Sequence, residues 1–124
     1  MSSSDLVKMR TRGILAFLTA HPTYQLSSRE WLVFLTVAME EGLTAPELVE
    51  QLQMPQQTLS RKIRSLGQTV DESGDFQGYN LIRIVPKGKA HSLYLTDEGR
   101  ALWQAFSDMH DEVDQVIIDQ FKNG

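Results

Sequence analysis

The 124-residue sequence contains no cysteine. That excludes a disulfide framework, a thiolate zinc site and any switch driven by thiol oxidation. Its three histidines, His21, His91 and His110, are scattered without close partners, so no metal site and no cofactor are expected. A phosphate-cradling Gly loop, a Ser/His/Asp grouping and paired carboxylates at catalytic spacing are also missing, and no enzyme is expected. No apolar run approaches the roughly 20 residues of a membrane span. The start MSSSDLVKMR has no apolar stretch before its first charges, so a secretory leader is not expected and a cytoplasmic protein is. Internal repeats and low-complexity linkers are absent, and this length suits one hydrophobic core over residues 1–124.

Negative charge prevails, at −4 overall, but unevenly. Residues 1–54 hold four Lys and Arg against six Asp and Glu, and residues 97–124 hold two against seven. Between them, residues 55–96 hold six against three. Contact with phosphates depends on the local patch rather than on the total, so the middle of the chain is where a nucleic acid would sit.

Residues 44–66 read TAPELVEQLQMPQQTLSRKIRSL. Thr44 with Glu47 three residues on forms a capping box, and Pro46 sits in the first turn, where its missing N–H costs nothing. Ala45, Leu48, Val49 and Leu52 follow at helical spacing; Gln53 and Met54 break the helix, and Pro55 opens a second one that Gly67 ends. In that second helix Leu59, Ile63 and Leu66 share one face, leaving Gln56, Gln57, Ser60, Arg61 and Arg64 on the other. Glutamine can pair in two-pronged fashion with the N6/N7 edge of adenine and arginine with the O6/N7 edge of guanine, while Thr58, Ser60 and Lys62 suit phosphate oxygens. A solvated face usually includes acids, and this helix has none.

From Leu81 the chain reads LIRIVPKGKAHSLYLTDEGRALWQAF. A period-two run, with Leu81, Arg83 and Val85 on one face and Ile82 and Ile84 on the other, meets a turn at Pro86, Lys87 and Gly88, and a second run covers His91 to Leu95. This is a β-hairpin whose tip and flanks carry Arg83, Lys87, Lys89 and His91. Two short helices followed by a hairpin with a basic tip predict a winged helix-turn-helix, mainly α with a small hairpin wing that reaches phosphates or the minor groove.

That order, the phrase TLSRKIRSL and the phrase LYLTDEGRAL together resemble the MarR-type winged-helix transcription regulators, over residues 26–106. The resemblance implies a homodimer on pseudo-palindromic double-stranded operator DNA, usually a repressor, often released by a small aromatic ligand or by thiol oxidation, the latter closed to a chain without cysteine. It places major-groove contacts on Gln56, Gln57, Thr58, Ser60, Arg61 and Arg64, and wing contacts on Lys87 and Lys89.

The flanking segments predict the frame. Residues 5–21 form an apolar-striped helix stopped by His21-Pro22, and a helix apolar on most sides begins at Ser28 and is closed by Gly42. Thr96 caps a last helix, 97–121, along which Leu102, Phe106, Met109, Val113 and Val116 alternate spacings of four and three, with Ile117 beside them. This stripe is wider than one small domain needs. It predicts dimerisation through the two terminal helices, with residues 28–95 as the DNA-binding core.

Two other patterns are weaker. Asp71, Glu72 and Asp75 lack the spacing of a Ca²⁺ loop and read as an acidic, flexible 68–79 loop. Trp31, Phe34, Tyr79 and Tyr94 could line a ligand pocket but fit a core better. As alternatives to chromosomal regulation, the same architecture serves plasmid or phage partition and replication, or acts as a protein-interaction module that binds no DNA.

Overall fold

The computed structural model describes residues 2–21, 24–67, 73 and 78–123. Its elements run α1 (Ser3–Ala20), α2 (Ser28–Met39), α3 (Ala45–Leu52), α4 (Gln56–Leu66), β1 (Ile82–Lys87), β2 (Ala90–Leu95) and α5 (Asp97–Asn123). The 68–79 loop falls largely outside the described residues. The chain divides into two units: residues 26–101, and the two segments that flank them.

One capping device starts three of the helices. Ser2 with Asp5, Ser27 with Glu30 and Thr44 with Glu47 each form a reciprocal box, in which the hydroxyl accepts from the third residue's N–H and the acid accepts from the cap's own N–H. Only the Thr44 box was expected. Of the other two, the Ser2 box moves the start of α1 from Asp5 back to Ser3, and the Ser27 box caps α2, which begins at Ser28 as expected. The α2 helix also ends earlier than Gly42, at Met39, and Gly42 lies in the following turn with φ +98°.

In the 26–101 unit, α2 supplies the fully buried Val33, Phe34 and Val37, and α3 supplies Leu48. Gln53 ends α3 in the left-handed region, φ 52° and ψ 40°, which turns the chain sharply into α4. Leu59, Ile63 and Leu66 of α4 are buried, each contributing about 1.5–3 kcal/mol.

The hairpin is antiparallel, with Ile82 opposite Leu95 and Lys87 opposite Ala90. Its turn is therefore Gly88-Lys89, not Pro86 to Gly88. Gly88 has φ +61° at the first central position, as a two-residue II′ turn demands. Pro86 lies within β1, opposite His91. The expected alternation holds only partly, because Ile82 is buried whereas Ile84 is 49% exposed. On its other side β2 meets the 42–44 segment: Gly42 N–H donates to Leu93 O at 2.8 Å, Leu93 N–H donates to Leu43 O at 2.9 Å, and Thr44 bridges Ser92. Glu41 ties the base of the hairpin down, since its Oε1 accepts from Leu95 N–H at 2.8 Å and lies 3.6 Å from the Arg100 guanidinium. Thr96 caps α5 as expected, accepting from Gly99 N–H at 3.0 Å.

In the flanking unit α1 packs along α5. Phe17 meets Phe106 edge-on with ring centroids 5.3 Å apart, Gly13 lies against Met109 and Val113, and Arg10 pairs with Asp114 at 3.2 Å. Within it Phe17, Leu102 and Ile117 are buried, while Val7, Ile14, Leu15, Leu18, Val116, Ile118 and Phe121 stay exposed.

Candidate nucleic-acid interface

The side chains that α4 withholds from the core form one surface. Gln56, Gln57, Ser60, Arg61 and Arg64 line a single open groove along the helix. A helical repeat of 3.6 residues explains the gathering, because Gln57, Arg61 and Arg64 sit three and four positions apart, opposite Leu59, Ile63 and Leu66. No acid lies on α4, so the groove presents amides, a hydroxyl and guanidinium groups, which together can donate to and accept from base edges and donate to phosphates.

Two sequence candidates on this helix stand aside. Thr58 and Lys62 are half-buried and lie on one flank, where the Lys62 charge acts on the Glu30 carboxylate. On the opposite flank Ser60, Ile63 and Arg64 meet Ala45, Ile84, His91 and Leu93 around a notch of about 280 Å³. Arg64 thus borders both the polar groove and the notch. The exposed Ile84 lends the notch an apolar side chain from the hairpin.

The wing candidates separate by position. Lys87 and Lys89 flank Gly88 at the exposed tip. Arg83 lies lower, with its Cζ 5.3 Å from the centre of the Tyr94 ring, a cation–π pairing across the two strands. Of the other aromatic candidates, Phe34 is wholly buried and takes Trp31 edge-on at 6.0 Å, a core arrangement. Tyr79 donates its backbone N–H to Ser65 O at 2.9 Å. Among the described residues no three of His, Asp and Glu gather as a metal site would need, and no helix is long and apolar enough to cross a membrane.

Of the six residues expected to face a second chain, Phe106, Met109 and Val113 pack against α1 of the same chain. Leu102 and Ile117 are buried and Val116 is 49% exposed. Sequence periodicity found the stripe but could not tell which side of it α1 takes. The Glu30 side chain, which reaches from α2 to α4, was missed altogether. Its only trace in the sequence was Ser27 three residues before it.

No protein-family profile matches the chain, and no curated protein matches it in sequence. Solved structures do match its fold. A mutant MepR from a multidrug-resistant S. aureus clinical isolate aligns over 97% of this chain and 84% of its own, at 20% identity and a TM-score of 0.68. A MarR transcriptional regulator from Methanosarcina mazei Go1 aligns over 95% and 74%, at 14% identity and 0.57. S. aureus MepR in complex with DNA aligns over 97% and 84%, at 20% identity and 0.56. Five helices and a two-stranded hairpin in this order, shared along nearly the whole chain with those regulators, give the protein the MarR-type winged-helix fold.

Proposed function

We propose that this protein regulates transcription by reading duplex DNA, as a homodimer on inverted half-sites and with repression as its effect. The observation that carries the reading is the acid-free groove of Gln56, Gln57, Ser60, Arg61 and Arg64 on the second helix of a helix-turn-helix, with Lys87 and Lys89 on the wing tip beyond it. The S. aureus protein of the same fold has been crystallised with DNA.

The DNA major groove is wide enough to admit an α-helix, and the amides and guanidinium groups along α4 match adenine and guanine edges. The wing lysines supply phosphate or minor-groove anchors. Six basic residues in the 55–96 stretch are few for one chain, which favours two chains acting together. The exposed apolar side chains Val7, Ile14 and Leu18 of α1, seven and eleven residues apart on one face, and Val116, Ile118 and Phe121 of α5 offer the surface for that pairing. Without cysteine, release from DNA by a small ligand rather than by thiol chemistry fits the sequence.

The test is selection of duplexes from a random pool, followed by mobility shifts at rising salt. Enrichment of an inverted repeat with centres about 34 Å apart supports the reading. Equal retention of all sequences, or of none at low salt, overturns it.

A further inference from the structure

Glu30 is a buried acid, 8% exposed, and its two oxygens do different work. Oε1 accepts from Ser27 N–H at 3.0 Å and closes the capping box of α2. Oε2 accepts from the Ser65 hydroxyl at 2.5 Å, across 35 positions of sequence, on α4. Burial by itself would raise this carboxyl's pKa. The hydrogen bonds from Ser65 and Ser27 and the charge of Lys62 outweigh burial and hold it below the ordinary range, so the group is an anion at neutral pH.

The place of Ser65 on α4 gives that bond its consequence. It stands one turn beyond Arg61, at the border between the reading face and the flank that carries Lys62. The rest of α4 is held by Leu59, Ile63 and Leu66, whose apolar packing has no direction, and by backbone bonds at its C-terminal end from Tyr79 and Leu81 to the carbonyls of Ser65 and Leu66. The N-terminal end has no side-chain cap, because Pro55 occupies the cap position. A directional, charge-assisted bond on one flank therefore sets how far the helix is rolled about its own axis. With side chains reaching about 6 Å from the axis, a roll of about 10° moves a reading group by about 1 Å, beyond the tolerance of a two-pronged base contact.

We propose that Glu30 is a positioning residue for DNA reading: gripping Ser65, it fixes the roll of α4 and so the aim of Gln57, Arg61 and Arg64. This rests on the DNA-reading function proposed above. The two can be tested apart, with the full chain and two duplexes: the sequence selected from the random pool and a scrambled one of equal length.

Ser65→Ala keeps the capping box and removes only the grip. It should narrow the ratio of selected to scrambled affinity by about tenfold, the worth of one base contact, with scrambled binding at low salt unchanged. Glu30→Ala should narrow it to a similar extent, the double variant no further than either single one, and Glu30→Gln, whose amide oxygen can keep the bond from Ser27 N–H while its NH2 donates to the Ser65 hydroxyl oxygen, should restore most of it. A merely structural role would lower the melting temperature and leave the ratio intact. If the parent discriminates between the duplexes and Ser65→Ala discriminates as well, the positioning role is overturned and DNA reading stands. A parent that does not discriminate overturns both.

Discussion

A Cβ on Gly13 would stand 2.6 Å from Val113 Cγ2, so α1 and α5 approach each other at a distance that only glycine permits. Met109 Sδ, at 3.0 Å, can swing aside, but the β-branched Val113 has few rotamers in a helix. Gly13→Ala should thus lower stability by about 1 kcal/mol net, as overpacking of about 1–3 kcal/mol outweighs a helix-propensity gain of about 1 kcal/mol. Thermal unfolding checks it, and a raised melting temperature would show that the helices part without cost.

Arg61 lines the polar groove along α4, one turn from Gln57. Arg61→Ala should weaken binding to the selected duplex by about 1–3 kcal/mol and relax preference at one position in each half-site. Unaltered affinity and preference would remove α4 as the reader.

At the wing tip, Lys87→Ala with Lys89→Ala should weaken binding to every duplex alike. The dependence of log K on log salt should become shallower by about one unit for each phosphate that the wing no longer neutralises. A slope equal to the parent's would mean that the wing does not touch DNA.

The Glu30 carboxyl has a folded pKa below its unfolded one, burial being outweighed by the bonds from Ser65 and Ser27 and by Lys62. The folded state therefore binds its proton less readily than the unfolded state. Its stabilising share is complete above the unfolded value, near pH 4.3, and is lost as pH falls through the lower folded value. Between pH 6 and pH 3 the parent's melting temperature should fall further than that of Glu30→Gln, which has no such proton to take up. Parallel curves would contradict the depressed pKa.

Phe121 is 61% exposed and Ile118 46% exposed near the end of α5. If these side chains join two copies, Ile118→Asp with Phe121→Asp should sediment as a monomer at concentrations where the parent is a dimer, with its fold intact by circular dichroism. A parent that is itself monomeric at micromolar concentration would leave DNA binding to single half-sites.

The fold was legible where backbone chemistry leaves a local mark. The Thr44/Glu47 box, the Gln53 break and the Thr96 cap are short-range devices, and the structure has all three. What failed did so for tertiary reasons. Ile84 shares a strand face with Ile82 as expected, yet it is 49% exposed where Ile82 is buried, because a strand pattern says which side chains share a face and not how far the packing over that face extends. Pro86 looked like a turn residue because proline favours turns, whereas an outer strand tolerates it equally. Lys62 shares the composition of a phosphate contact with Arg61 and Arg64. Its closeness to Glu30 follows from how α2 crosses α4, and no spacing within either helix records that.

The hairpin's two margins have unlike fates. The 42–44 segment already occupies the free side of β2, so among the described residues the open margin is that of β1. There Pro86 offers no N–H, and Arg83 and Lys87 bring positive charge on either side of it. A strand from another molecule arriving at that margin would find a missing donor and a like-charged copy of itself. Self-association by strand addition is thereby discouraged, and the wing can project into solvent, available to a polyanion, without becoming a seed for aggregation.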